Sequence, residues 1–273
     1  MTKIGFYQFN PSFGQVSSNL AQVTDRLGTI EADLIVLPEL AFTGYYFHDR
    51  DEVRALAEEP SHSSTVDTLS ALCRERQFFL VTGFAERQQD KCFNSALLIG
   101  PQGLVHTYRK IHLFGTEQDC FDPGDTPLSV QAVRGMNIGI MICFDWVFPE
   151  VARTLALQGA DLICHPANLV LNYCQKTMRS RCIENMIFAL TANRYGVEQR
   201  PHGSLAFTGQ SQIVAPGGQL LHQSNADQDD LYIIDIDPDL ARDKRIGDRN
   251  DVIANRRPAF YQDLCVLCDD PHP

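Results

Sequence analysis

Apolar residues along this chain gather in short runs separated by stretches of helical periodicity, and that alternation predicts the elements. Residues 4–8 read as a first strand. Over 19–30 the apolar positions Leu20, Val23, Leu27 and Ile30 share one helical face. The run 33–38 is short, apolar on both faces and ends on Pro38, which suits a buried strand. Residues 63–76 read as a helix and 78–83 as the next strand. Residues 95–108 and 212–222 each place a Gly/Pro turn between two strand-like runs. A buried strand is expected over 136–143. A helix opens at Phe148-Pro149-Glu150, since proline fits the first turn and glutamate the positive end, and Gly159 stops it. A strand over 161–165, a helix over 175–190 and a strand over 191–194 follow. The last expected strand is 231–237, with a short helix from Pro238 and an irregular polar tail from Gly247.

Hairpins mixed with α–β alternation point to sheets with helices packed outside them. One hairpin in each half suggests two similar α/β layers. The length of 273 residues leaves room for one large α/β domain or two smaller ones. Lys and Arg total 23 against 34 Asp and Glu, a net charge of −11, so nucleic-acid and membrane-surface partners are not expected. No apolar run approaches the roughly 18 residues of a spanning helix. The N-terminus carries no signal-like apolar segment and enters the first strand directly. Nine cysteines, an odd number, then fit a reduced cytoplasmic chain in which most thiols are buried.

Three segments place a reactive side chain at the end of an apolar strand, where α/β proteins build their sites. Glu39 follows Leu34-Ile-Val-Leu-Pro38, and a carboxylate there is partly desolvated and the better base for it. Lys110 closes the second strand of the first hairpin. Cys143 ends the strand Met136-Asn-Ile-Gly-Ile-Met-Ile142 on a sharp turn into a helix, where nearby N–H groups favour a thiolate.

These segments together resemble the nitrilase superfamily of carbon–nitrogen hydrolases. The matching motifs are Leu37-Pro-Glu39 with Gly44 and Tyr45, Tyr108-Arg-Lys110-Ile-His-Leu-Phe114, and Gly139-Ile-Met-Ile-Cys143-Phe-Asp145 with Phe148-Pro-Glu150. The likeness continues through His165-Pro-Ala-Asn168, Arg181-Cys-Ile-Glu184-Asn185 and Asn193-Arg194-Tyr-Gly196 to about Tyr261. It implies a four-layer α-β-β-α sandwich, in one domain over 1–262 with a tail at 263–273, and a homodimer or higher homo-oligomer. It also implies roles. Cys143 is the nucleophile and Glu39 its base. Lys110 and the Phe144 N–H stabilise the oxyanion, and Glu117 positions Lys110. Substrate contacts are expected from Tyr45, Phe114, Phe144, Trp146, Asn168 and Leu169, with Phe47 nearby. No metal or organic cofactor is required. The loop Asn168-Leu-Val-Leu-Asn-Tyr173 is mainly apolar, which points to a small neutral amide rather than an anionic carbamoyl compound. Small aliphatic nitriles and N-carbamoyl amides are the alternatives.

Rival chemistries have less support. His48, His112 and His165 are candidates for a Cys–His pair, but no papain-like context surrounds Cys143, and His112 reads as a buttress of the Lys110 loop. Cys265-Val-Leu-Cys268 has the spacing of half a zinc site without a second half in sequence. No glycine-rich nucleotide-binding motif is present.

Overall fold

The computed structural model describes residues 1–266. The first sheet holds six strands: β1 (Thr2–Gln8), β2 (Leu34–Val36), β3 (Phe79–Gln88), β4 (Lys91–Gly100), β5 (Gly103–Arg109) and Asp230–Ile236, which pairs antiparallel with β1. β1, β2 and β3 run parallel, and β4 and β5 return antiparallel as hairpins. The second sheet repeats the plan. β6 (Val130–Val133) lies antiparallel to β7 (Met136–Ile140), and β7 runs parallel to β8 (Leu162–Ala167) and β9 (Phe188–Asn193). Gln212–Val214 and Leu220–Gln223 then return antiparallel. The two hairpins of the sequence thus occupy equivalent edges of two similar sheets.

Burial explains the layering. The inner faces of both sheets share one core, in which Ile4, Phe6, Leu34 and Val36 meet Ile138, Leu162 and Leu190. On the outer face of the first sheet lie α1 (Val16–Leu27) and α3 (Ser64–Arg76), which bury Val23, Leu27, Val66, Leu69 and Cys73 against Ile35, Leu80 and Leu97. α2 (Arg50–Leu56) sits between them in the chain, with Asp49 capping its first turn through Glu52 N. α4 is the single turn Glu117–Cys120. Outside the second sheet, α5 (Pro149–Leu157) and α6 (Cys174–Asn185) bury Val151, Ala152, Leu155, Met178 and Cys182. The result is the expected four-layer α-β-β-α sandwich.

Three expectations shift. The first helix runs from Val16 to Leu27 rather than over 19–30, because Gly28 ends it and Ile30 packs from the loop beyond. The helix expected over 175–190 stops at Asn185, where Met186 turns left-handed (φ +47°), and β9 begins at Phe188. Phe188, Ala189 and Leu190 are buried on both faces, so helix and strand read alike there. The stretch after Arg194 forms an antiparallel hairpin, Tyr195–Arg200 with Gly203–Thr208, that belongs to neither large sheet. No helix among the described residues is long and apolar enough to cross a membrane.

Candidate active site

Glu39 hangs from the end of β2, on backbone held against β3 by Leu37 N to Val81 O (2.8 Å) and Gly83 N to Pro38 O (3.0 Å). A Cβ on Gly83 would stand 2.2 Å from Leu40 N and 2.4 Å from Glu39 Cα, so only glycine lets the two chains approach this closely. Lys110 follows β5 and is tied to Asn94 O through its own N–H (2.9 Å). Its Nζ donates to Glu39 Oε1 at 2.7 Å and to Glu117 Oε1 at 2.8 Å. Asn94 Nδ2 adds a second donor to Glu39 Oε1 at 2.7 Å. Glu117 opens α4 and accepts from Tyr45 Oη at 2.6 Å and from Phe114 N at 3.2 Å. The Glu39, Lys110, Glu117, Asn94 and Tyr45 side chains are all buried.

Cys143 opens a 3-10 turn, Cys143–Val147, directly after β7, with a left-handed backbone (φ +39°). The turn is held by Asp145, which is fully buried. Its Oδ2 accepts from Tyr108 Oη (2.7 Å) and Ile142 N (2.8 Å), and its Oδ1 lies 2.8 Å from His112 Nδ1. His112 also stacks on Phe148 at 3.6 Å between ring centroids. Tyr108 and His112 flank Lys110 by two residues on either side, so one carboxylate couples the lysine segment to the cysteine turn.

The electrostatics follow from burial. Desolvation holds the Glu39 carboxyl above the usual carboxylate range, even though the Lys110 ammonium pulls it down. Burial alone would lower the Lys110 pKa, but Glu117 and Glu39 together outweigh it and keep the ammonium charged. One cation facing two carboxylates cannot neutralise both, so the cluster carries a surplus of acceptors. The Cys143 thiol is pushed well above its ordinary value by burial and then by the Glu39 charge, against the opposing pull of Lys110. Burial therefore works against the thiolate that the strand-to-helix turn was expected to favour. Glu39 Oε2 is buried without a hydrogen-bond partner among the described residues, as is Asn168 Oδ1.

Cys143 reaches a narrow cleft lined by Phe114, Phe144, Trp146, Asn168, Leu169, Val170 and Leu171. Its volume is about 20 Å³, room for little more than one water. Roomier hollows of about 530 and 710 Å³ border Arg153, Arg256 and Tyr261 and contain none of these groups, so chemistry rather than size marks the site. Of the residues expected around a substrate, Phe114, Phe144, Trp146, Asn168 and Leu169 lie on the cleft. Tyr45 does not; its hydroxyl is spent on Glu117 and its N–H on Glu198. Asn168 Nδ2 donates to Glu39 O at 2.8 Å, which leaves Oδ1 as the free end. His165 contacts Cys143 through the backbone carbonyl. The described residues hold no cluster of three metal-ligating side chains. Cys265 is exposed, and Cys268 lies outside the described residues.

Sequence reasoning missed Gly83, Asn94 and Asp145. Gly83 had a signal, since a glycine inside an apolar strand marks a close backbone approach. Asp145 stands in the motif that ends Cys143-Phe-Asp145 but was given no role, and Asn94 had no signal beyond being polar in apolar surroundings.

Known proteins match both the sequence and the fold of this chain. The family model described as carbon–nitrogen hydrolase matches residues 3–246. A Pyrococcus abyssi protein named nitrilase is 40% identical over 264 residues, covering 96% of this chain and 99% of that one. A Pseudomonas protein named (R)-stereoselective amidase is 32% identical over 242 residues, covering 87% and 85%. The crystal structure of a carbon–nitrogen hydrolase from Helicobacter pylori superposes with a TM-score of 0.87 at 23% identity, covering 97% of this chain and 99% of that one.

Proposed function

The chain belongs to the carbon–nitrogen hydrolase family, and on that footing we propose that it hydrolyses small neutral aliphatic amides through a thioester on Cys143. The observation that carries this reading is Lys110 held between Glu39 and Glu117, with an unpartnered Glu39 oxygen and a buried thiol within range of their charges.

The reaction begins with a protonated thiol. Glu39 takes that proton as the sulfur attacks the amide carbon. Lys110 and the Phe144 N–H receive the charge that develops on oxygen. The proton on Glu39 passes to the leaving nitrogen, ammonia departs, and a thioester remains. Glu39 then draws a proton from water as it attacks the thioester; the C–S bond breaks, the sulfur takes that proton from Glu39, and the acid is released. Glu117, braced by Tyr45, keeps Lys110 in place through both halves. No step calls for a metal or an organic cofactor.

The cleft supports the substrate class. Its walls are apolar and its volume is small, which suits a short uncharged acyl group. The free Asn168 Oδ1 is an acceptor, and an amide N–H₂ can donate to it where a nitrile cannot. A nitrilase acting through a thioimidate is the second reading, favoured by the relative of that name at 40% identity. N-carbamoyl amides are the third class to assay. The same reading takes residues 1–262 as one domain in a homodimeric or larger cytoplasmic enzyme.

The test is mass spectrometry of the intact protein after mixing with short amides, nitriles and N-carbamoyl amides, with ammonia release read in parallel. An acyl mass on the Cys143 peptide from neutral amides is expected. Cys143→Ala should form no adduct and lose at least about 10³-fold in rate. Wild-type turnover in that variant, or adducts from carboxylate-bearing carbamoyl compounds alone, would overturn the reading.

A further inference from the structure

His165 stands on β8, fully buried behind the cysteine turn. Its Nε2 lies 3.0 Å from the carbonyl oxygen of Cys143, and its Nδ1 lies 3.1 Å from Thr191 Oγ1. A carbonyl oxygen can only accept, so Nε2 carries the proton. Burial pushes the imidazole down to about 4, which makes the ring neutral at pH 7. Nδ1 is then an acceptor for the Thr191 hydroxyl, which holds the ring in place while the carbonyl fixes the tautomer. The contact to Cys143 is to backbone rather than sulfur, so His165 is not the base of a Cys–His pair.

The carbonyl of Cys143 and the N–H of Phe144 belong to one peptide plane, and no peptide bond among the described residues is cis. In a trans plane the two groups point in opposite directions. Whatever pins the carbonyl therefore aims the amide. The pin is needed because Cys143 holds a left-handed conformation that a non-glycine residue leaves readily unless its surroundings enforce it. Within the turn the first backbone bond is Asp145 N to Ile142 O at 3.0 Å. Phe144 N–H precedes it and has no backbone partner among the described residues. Both Cys143 and Phe144 border the cleft.

We propose that His165 is a positioning residue that locks the Cys143–Phe144 peptide and so aims the Phe144 N–H at the oxyanion. This rests on the amidase reading, because the oxyanion exists only if Cys143 attacks an unsaturated carbon. As the S–C bond forms, the carbonyl π pair moves onto oxygen, and that oxygen is what the N–H meets. No proton passes through His165.

The test compares wild type, His165→Leu and His165→Gln in two reactions of Cys143. One is acylation by an amide that wild type turns over. The other is alkylation by iodoacetamide, read on the Cys143 peptide, in which the thiolate displaces iodide at a saturated carbon and no oxyanion forms. His165→Leu should lower kcat for the amide by about 10- to 100-fold, within the range for a misplaced oxyanion donor. KM, the pH profile and the alkylation rate should stay within about twofold of wild type. His165→Gln, whose Nε2 can also donate, should recover most of the lost kcat. Should the leucine variant not fold, Thr191→Val serves instead. It removes the hydroxyl that holds the ring at Nδ1 and should lower acylation by a smaller factor, again without slowing alkylation. Unchanged acylation, or acylation and alkylation falling together, overturns the inference alone. Wild type that is alkylated yet acylated by no amide or nitrile overturns the functional reading and this inference with it.

Discussion

Two buried cations in this molecule each follow the last residue of a strand, and they have opposite characters. Arg194, after β9, is fully buried and faces one carboxylate, Glu198. Its other donors go to Asn10 Oδ1 and Pro11 O, while Glu198 accepts from the N–H groups of Tyr45 and Tyr46. Charge is balanced and the hydrogen-bonding capacity of Glu198 is well used. Lys110, after β5, faces two carboxylates and a thiol, and Glu39 Oε2 has no partner among the described residues. A balanced cluster buried this way holds chains together. An unbalanced one leaves an acceptor free to take a proton. Burial of charge therefore does not identify a reactive centre, whereas a surplus of unsatisfied acceptors beside a nucleophile does.

The contrast between the two clusters is open to direct test by removing one member of each. Glu39→Gln should have the largest effect, lowering kcat by about 10²–10⁴-fold in an ammonia-release assay. Its folding stability at pH 7 should not fall, because the glutamine has no charge to desolvate. A catalytic loss matched by an equal loss of stability would make the Lys110 cluster structural after all. Lys110→Met should cost about 10²–10³-fold in kcat. It should also move the acid limb of kcat/KM to higher pH, since the ammonium is what pulls the Glu39 carboxyl down. A limb that moves down would contradict the assignment of Glu39 as base.

Arg194→Leu should show the reverse. Removing one partner of a buried pair costs about 3–5 kcal/mol, seen as a lower urea midpoint. The kcat of the protein that remains folded should change by no more than a few-fold, which active-site titration with iodoacetamide can normalise. The smallest effect separates the clusters by their protons. The Glu39 pKa is raised on folding, so the native state keeps a proton the unfolded chain has lost. Stability should therefore fall as pH rises from about 4.3, the unfolded value, through the folded pKa, by ~1.4 kcal/mol for every pH unit between the two. Glu39→Gln should remove that slope in a series of urea titrations, and Arg194→Leu should leave it in place.

Much of this architecture was legible in residue order. The apolar runs ending in Glu39 and Cys143 formed buried strands because side chains that are apolar on both faces demand cover on both faces. The Pro149 start and Gly159 stop of α5 were readable because local backbone preferences dictate them. The overrun past Asn185 was not avoidable, since a doubly buried apolar segment carries no period to tell helix from strand. The hairpin after Arg194 was missed because it packs outside both sheets.

The site divides in the same way. Glu39, Lys110, Glu117 and Cys143 were each visible as a polar residue beside a buried run or in a recognisable motif. Gly83 and Asn94 became meaningful only as neighbours in space, and Asp145 and His165, visible in matched motifs, gained their contacts only there. Residue order was enough to say which side chains stand at the ends of the strands, because periodicity and turn chemistry are local properties. Packing decided the rest: burial pushes the thiol pKa up, Tyr45 turns from the cleft to Glu117, and Glu39 keeps one oxygen free. Those outcomes depend on desolvation and on distances between residues far apart in the chain, and no single stretch of the chain encodes either one.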